Sequence, residues 1–132
     1  MSTVWLLASW LIAIAHVAVI VFVVVGGPLA LRWPRLWGVH AIVVVLVGSI
    51  FVLGMDCPLT VWQKAALERS GRPVYDDGFI EHVIVRPITG NGVTPAVNVV
   101  IVATWLVPTV VSYAILATRQ RRVTLARGTR RR

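Results

Sequence analysis

The long polar stretch of this sequence is GMDCPLTVWQKAALERSGRPVYDDGFIEHVIVRP, residues 54–87. It lies between long apolar runs, and it contains all five acidic residues of the chain and the single cysteine, Cys57. The segment is too polar to cross a membrane, whereas the runs on either side are apolar enough to do so. Because there is one cysteine, an intrachain disulfide and a metal site made of several cysteines are excluded.

The composition is typical of a membrane protein. Of the 132 residues, 58% are hydrophobic and 14% are charged, and the mean hydropathy is +0.83. A soluble domain keeps charged side chains on its surface, whereas a domain in a bilayer exposes apolar side chains to lipid. The sequence therefore predicts an all-α membrane protein with one transmembrane domain, residues 1–118. A basic cytoplasmic tail, residues 119–132, is predicted to be disordered or to lie along the membrane surface.

Three apolar runs predict transmembrane helices at about residues 4–31, 36–55 and 95–118. Residues 56–94, here called the outer segment, lie between the second and third runs and are predicted to lie outside the membrane. A helix needs about 20 residues to cross a hydrocarbon core of about 30 Å. The first run is longer than that, so it is expected to tilt, or to break near Gly26–Gly27–Pro28, where Pro28 removes a backbone donor.

Local signals refine the first and third runs. Ala13–Ile14–Ala15 has the A-x-A form of a signal-peptide cleavage site, which is the alternative interpretation of the first run. No basic region precedes that run and it continues well past Ala15, so an uncleaved anchor is favoured. In the third run Thr94 is placed to cap the helix and Pro95 takes the first helical position. Pro108 is expected to kink this helix.

The uneven distribution of charge predicts the orientation. The turn between the first two spans has Arg32 and Arg35, residues 56–94 have four basic and five acidic side chains, and the tail has seven arginines. With three spans, the basic turn and the basic tail lie on the same side, which the positive-inside rule makes the cytoplasm. The N-terminus and the 56–94 segment are then outside. Tryptophans near the two ends of the spans fit two aromatic belts: Trp5, Trp10, Trp33 and Trp37.

Two short interfacial helices are predicted within the 56–94 segment. Thr60–Val61–Trp62–Gln63 has the form of a capping box, in which the Thr60 hydroxyl accepts from the Gln63 amide. The helix that it opens is expected to end at Ser70–Gly71. Its predicted apolar face consists of Val61, Trp62, Ala65, Ala66 and Leu67. Asp77 is placed to cap a second helix, which has Phe79, Ile80, Val83 and Ile84 on one face.

The order of these features resembles a family of small bacterial inner-membrane proteins of unknown function. In the membrane spans the resemblance rests on His16 with the run Phe22–Gly27 after it, on the turn Arg32–Arg35, and on Trp37 and His40. In the outer segment it rests on Cys57–Thr60, on Gly71 and Tyr75, and on Gly78–His82. Together with Gln63, a structural motif is formed by Cys57, Pro58, Leu59, Thr60, Tyr75, Phe79, Glu81 and His82. Two positions depart from the family pattern, which has Glu where Gln63 stands and an aromatic residue where Val83 stands. The resemblance implies a location and supplies no activity.

Two histidines in the spans are candidate cofactor-binding residues. His16 lies about 18 Å below the outer surface, at 1.5 Å per helical residue. Ionisable side chains at such depth are rare and often functional. Two interpretations stay open for His16: a functional site, or a structural donor to the Thr104 carbonyl that Pro108 releases. A haem bound by both His16 and His40 is excluded, because they differ in depth by about 10–20 Å. No cofactor is predicted, although a quinone site at one histidine stays open.

The outer segment has four side chains of types that bind metals or act as nucleophiles: Asp56, Cys57, Glu81 and His82. Their spacing matches no known site. Glu81 and His82 lie about 100° apart on a helix, so they are not expected to face the same small site. Neither a metal site nor a catalytic residue is predicted here. The arginine-rich tail is expected to bind anionic lipids of the cytoplasmic leaflet rather than nucleic acid.

We therefore expect a multi-pass protein of the bacterial inner membrane, with the lipid bilayer and a larger membrane complex as its partners. The leading functional hypothesis is a non-enzymatic structural or accessory component, because the spans contain few buried polar groups. The alternative is a protein that binds a redox cofactor, a quinone or a small molecule at His16 or in the outer segment.

Overall fold

The structure, a computed structural model, describes residues 2–129, with side chains as far as residue 122. Its elements are α1 (Ser2–Arg32), α2 (Leu36–Val52), α3 (Pro58–Arg69), a π-helical segment (Glu81–Val85), α4 (Arg86–Thr89) and α5 (Pro95–Thr129). No strand occurs among the described residues. The predicted all-α class is confirmed, with short helices between the second and third apolar runs.

Two helices are long and apolar enough to cross a membrane, namely α1 and the part of α5 from Pro95 to Arg122. The second apolar run forms α2, a shorter helix of 17 residues. At 1.5 Å per residue α2 is about 25 Å long. It therefore lies at the short end of the range that spans a hydrocarbon core.

A glycine ends α2 three residues before the predicted limit. Gly54 has a left-handed backbone conformation, with φ +63°, which glycine adopts without steric cost. The Met55 amide donates to the Ile50 carbonyl at 3.0 Å, and the Gly54 amide donates to Phe51 at 3.3 Å. This pair of bonds is a Schellman motif, which satisfies carbonyls at the end of the helix.

α1 is the central helix, against which α2, α3 and α5 pack. In the described part of the chain α1 approaches α2, α3 and α5 closely, whereas α2 and α5 make no close backbone contact with each other. The buried residues of α1 are Ser9, His16, Val23, Gly26, Gly27 and Ala30. Most of these side chains are small, and small residues let the backbones of neighbouring helices come close.

Two adjacent glycines of α1 accommodate different neighbours. A Cβ atom on Gly26 would collide with the ring of His40, which belongs to α2. A Cβ atom on Gly27 would lie 3.1 Å from the Cα of Thr109, in the backbone of α5. The pair therefore sets how closely α2 and α5 approach the central helix.

His40 links all three long helices. Its side chain is fully buried, Nε2 lies 3.1 Å from the Val23 carbonyl of α1, and Nδ1 lies 2.8 Å from the Tyr113 hydroxyl of α5. Because a carbonyl can only accept, Nε2 donates to Val23, and Nδ1 shares a second hydrogen bond with the Tyr113 hydroxyl. The same hydroxyl lies 3.2 Å from the Trp37 carbonyl. Both ring nitrogens of His40 are therefore engaged within the helix bundle.

Neither proline inside the long helices interrupts them. α1 continues through Pro28 to Arg32, so the break near Pro28 does not occur, and the alternative expectation of a tilted helix stays a prediction. α5 likewise continues through Pro108. Each proline removes one donor, and the helices packed alongside hold the remaining turns in place. The Thr94 cap is confirmed, because the Val97 amide donates to the Thr94 hydroxyl at 3.3 Å.

The backbone of the basic tail is helical as far as Thr129, whereas the sequence predicts a tail that is disordered or lies along the membrane surface. The tail extends an existing helix, so it does not bear the cost of starting one. Arginine, which is frequent in this stretch, is also a good helix former. Residues 130–132 lie outside the described part of the chain, and the contact of the tail with anionic lipid stays a prediction.

α3 begins before the predicted cap. Cys57 is its N-cap and Pro58 takes the first helical position, so Thr60 lies inside the first turn and the predicted capping box does not form. Proline is favoured at that position because its fixed φ already suits a helix. The predicted end is confirmed, since Gly71 has φ +75° and its amide donates to the Glu68 carbonyl.

The buried face of α3 also differs from the predicted one. Thr60, Gln63 and Ala66 are buried, whereas Val61 and Trp62 are 48% and 61% exposed. α3 packs against α1, and the three buried residues form one stripe along the helix. Trp62 then faces outward, where an amphipathic ring suits a membrane interface.

We predict that Gly26→Ala lowers the free energy of unfolding by about 1–3 kcal/mol, the usual cost of overpacking. The new methyl group collides with the buried His40 ring, which is fixed by hydrogen bonds at both nitrogens. Gly38→Ala is the matched control, because no atom lies within 4 Å of its new Cβ. Alanine is also the better helix former by about 1 kcal/mol. Melting in a neutral detergent measures both variants, and equal melting temperatures would contradict the packing argument.

We also predict that Tyr113→Phe is destabilising, because it removes the hydroxyl that His40 Nδ1 contacts. Hydrogen bonds between helices in membranes contribute roughly 0.6 kcal/mol on average and seldom more than about 2 kcal/mol. The variant should therefore fold and melt at a lower temperature. Unchanged melting would mean that the hydroxyl contributes nothing to the contact between α2 and α5.

Candidate functional site

The outer segment folds back along α1 and reaches His16. Phe79 and His16 are both buried, and their rings stack with centroids 4.1 Å apart and planes 10° apart. His16 lies in the middle of α1, and Phe79 lies just before the π-helical segment. The contact thus joins the central helix to the segment that the sequence places outside the membrane.

The predicted hydrogen bond from His16 to Thr104 does not form. His16 Nδ1 is buried and has no hydrogen-bond partner among the described residues. No hydrogen bond joins His16 to the Thr104 carbonyl among the described residues. The structural interpretation of His16 as a donor to Thr104 is therefore wrong, and stacking on Phe79 takes its place. A buried polar atom without a partner is uncommon and often marks a functional site.

A cleft of about 540 Å³, here called the central cleft, lies beside His16. Its walls come from α1, α2 and α5, and the π-helical segment and the start of α3 border it as well. Most of the lining is aliphatic or aromatic. The polar lining residues are His16, Asp56, Cys57, Thr60, Glu81, Asn98 and Thr104. A mostly apolar concavity with a few polar groups is typical of small-molecule sites.

A second concavity of about 1020 Å³, here called the outer groove, lies on the other side of Phe79. It runs along the N-terminal half of α1, from Leu6 to Val21, and the 72–83 stretch of the outer segment forms its opposite wall. Phe79 lines both the groove and the cleft, whereas His16 lines the cleft. The stacked pair therefore stands between the two concavities.

A polar network supports the outer groove. The Tyr75 hydroxyl donates to Gln63 Oε1 at 3.0 Å, and the Tyr75 ring stacks on His82 with centroids 4.1 Å apart. The Lys64 ammonium lies 5.0 Å from the centre of the Tyr75 ring. Burial raises the pKa of the Tyr75 phenol above its ordinary value, and the Asp77 carboxylate raises this pKa further. Tyr75 thus stays protonated as a donor at neutral pH.

Asp77 does not serve as the predicted helix cap but forms an ion pair. Its Oδ2 atom lies 2.9 Å from Arg86 Nη1 and 3.7 Å from His82 Nδ1. The helical turns that follow have π geometry, which adds a residue to the turn and shifts the buried side chains. Phe79 and Val85 are buried there, whereas Val83 and Ile84 of the predicted apolar face are exposed.

Glu81 and His82 lie on different sides of their helix, as expected from their spacing. Glu81 lines the central cleft, and its Oε1 accepts from the Val93 amide at 3.3 Å. His82 lines the outer groove. Cys57 shares the cleft with Glu81 but not with His82. In the described part of the chain no three His, Cys, Asp or Glu side chains are grouped so as to hold a metal ion.

The structure brings some of the predicted residues together and separates others. Of the motif in the outer segment, Cys57, Thr60, Phe79 and Glu81 share the central cleft with His16. Gln63, Tyr75 and His82 border the outer groove. His40 lines neither concavity. Pro58 and Leu59 form the first turn of α3.

Sequence reasoning missed two residues of the cleft, Asn98 and Trp105. Asn98 is a lone amide inside an apolar run, and such a polar residue is a signal of function in a membrane helix. Trp105 has no comparable signal. A Cβ atom on Gly48 of α2 would lie 3.6 Å from the Trp105 ring, which places that ring between α2 and α5.

Comparison with known proteins agrees with the resemblance seen in the sequence. A family model described as "Protein of Unknown function (DUF2784)" matches residues 6–114. This range contains His16, the whole outer segment and the part of α5 that lines the cleft. No curated protein and no solved structure matches the chain. Since the match covers most of the sequence, the chain belongs to the DUF2784 family of unknown function.

Proposed function

We propose that this chain is a three-span protein of the bacterial inner membrane that binds a small, mostly apolar molecule in the central cleft without transforming it. Its N-terminus and outer segment are proposed to lie outside, and its basic tail in the cytoplasm. The observation that carries the ligand-binding role is the central cleft itself, with the buried, unpartnered Nδ1 of His16 in its wall.

Exposed apolar side chains support the membrane location. In the most apolar 18-residue windows of α1 and α5, only 17% and 11% of the residues are buried. The core helix of a soluble protein is mostly buried, so this pattern favours contact with lipid. α2 likewise exposes Ile42, Val45 and Leu46. Contiguous apolar surface of this extent is rare on soluble monomers.

The distribution of charged and aromatic side chains supports the orientation. Arg32 and Arg35 are exposed at the turn between α1 and α2, on the same side as the basic tail. Trp33 and Trp37 are exposed near them, at the level expected for a membrane interface. At the opposite end of α1, Trp5 packs under Arg69, with the guanidinium carbon 4.6 Å from the ring centre.

Ligand binding and the predicted accessory role are compatible. The central cleft lies between helices, whereas a protein partner would contact the exposed faces of α1 and α2. Membership of a larger membrane complex therefore stays a prediction alongside the ligand-binding proposal. A haem with His40 as a ligand is not favoured, because both ring nitrogens of His40 already have partners.

Thiol labelling tests the orientation. In a Cys57→Ser background, Glu68→Cys places an exposed thiol on α3 and Arg121→Cys places one in the tail. Serine is also a favourable N-cap at position 57. In intact cells a membrane-impermeant maleimide should label position 68 and should label position 121 only after the membrane is opened. The reverse pattern would invert the topology.

Native mass spectrometry tests ligand binding. Protein purified in a mild neutral detergent should retain a bound small molecule, seen as a mass adduct. Val47→Phe should reduce the adduct at least fivefold, because Val47 lines the cleft and a phenyl ring fills part of it. Val45→Phe is the matched control on the same helix, since Val45 is 65% exposed and lies outside the cleft. No adduct, or equal adducts in both variants, would count against the proposal.

A further inference from the structure

The central cleft has charged lining residues of one sign. Asp56 and Glu81 line it, and no Lys or Arg side chain among the described residues does so. We propose that the ligand of the central cleft is an apolar organic cation, such as a hydrophobic amine or a quaternary ammonium compound. This inference rests on the proposed ligand-binding function and names the chemical class of the ligand.

The negative charges at the cleft are not neutralised by the basic side chains of the outer segment. Arg86 pairs with Asp77, and Lys64 donates to the Asp76 carbonyl at 3.2 Å. Arg69 stacks on Trp5, and Arg72 lines the outer groove. Every basic residue of residues 56–94 is thus placed away from the cleft.

Glu81 is held in place by a hydrogen bond from the backbone. The carboxylate is half-buried and accepts from the Val93 amide, which is a neutral donor. A Cβ atom on Gly92 would collide with the same carboxylate oxygen, so the glycine lets this loop approach Glu81 closely. A preorganised carboxylate beside an apolar cavity attracts a cation more strongly than a mobile surface carboxylate does, because less water screens it.

Aromatic rings and His16 complete a site suited to a cation. Phe51, Phe79 and Trp105 line the cleft, and aromatic faces attract ammonium groups. His16, which is 6% exposed, adds an imidazole in the same wall with an unpartnered nitrogen. A neutral imidazole has one acceptor nitrogen, and an amine cation supplies N–H donors. The carboxylates and the aromatic rings are independent features that favour the same ligand charge, and the imidazole adds a hydrogen-bonding group for a ligand that has an N–H.

The physical consequence is discrimination by charge rather than by shape. Moving any ion out of water into an apolar cleft costs free energy, and opposite charges and polarisable faces offset that cost. For a cation the two carboxylates provide this compensation. For an anion of the same shape they add repulsion, so the anion is rejected.

Paired probes of equal shape test the inference. Tetraphenylphosphonium and tetraphenylborate differ mainly in the sign of their charge. In titration calorimetry with protein in a neutral detergent, tetraphenylphosphonium should bind saturably and tetraphenylborate should not. Glu81→Gln keeps the acceptor for the Val93 amide and removes the charge, so it should fold and weaken cation binding about tenfold, or about 1.4 kcal/mol. Asp56→Asn, at an exposed position, is a second variant expected to weaken binding.

Two controls assign the effect to the cleft. Glu68→Gln removes an exposed carboxylate of α3 outside the cleft and should leave cation binding unchanged. Val47→Phe should abolish it, and Val45→Phe should not. Equal binding of the two ions, or equal losses from Glu68→Gln and Glu81→Gln, would overturn the inference. If tetraphenylphosphonium fails to bind while Val47→Phe still removes a native adduct, the cation inference is wrong and the proposed ligand-binding function stands.

Discussion

Gly26 and Gly27 let α2 and α5 approach the central helix closely, and the other contacts of the bundle follow from this approach. Because Gly26 has no side chain, the His40 ring fits against α1 at this position. Because Gly27 has none, the backbone of α5 comes close to α1. His40 then bonds to α1 and to Tyr113 of α5, so a single buried side chain fixes the positions of all three helices. Since α2 and α5 both pack on α1 and not closely on each other, a space remains between them. That space is the central cleft.

The outer segment completes the cleft from the other side. α3 packs along the N-terminal half of α1, and Phe79 reaches His16 beside the cleft. The ion pair of Asp77 with Arg86 and the bond from Tyr75 to Gln63 hold the intervening loop and turn. The loop before α5 is held near the π-helical segment, because the Val93 amide donates a hydrogen bond to Glu81 Oε1. The segment that looks like a connection between spans is therefore a structural part of the candidate site.

The arrangement also separates charges in a way that composition does not reveal. Acidic side chains border the central cleft, Arg72 borders the outer groove, and the stacked Phe79 and His16 rings lie between the two. The net charge of residues 56–94 is close to zero, yet each concavity has charged lining of one sign. Two chemically different environments thus lie side by side on the central helix.

Features that depend on neighbours within one or two turns could be predicted from the sequence. These are the all-α class, the apolar runs, the Thr94 cap and the helix end at Gly71, because periodicity, caps and left-handed glycines act locally. The family was indicated separately, by the resemblance. The packed structure was needed to show that α3 buries Thr60 and Gln63, that Pro28 does not break α1, and that His16 stacks on Phe79 instead of bonding to Thr104. These outcomes depend on which distant residues meet across the packed helices. A local sequence pattern does not show which distant residues come into contact, because the energy of a tertiary contact depends on both residues of the pair.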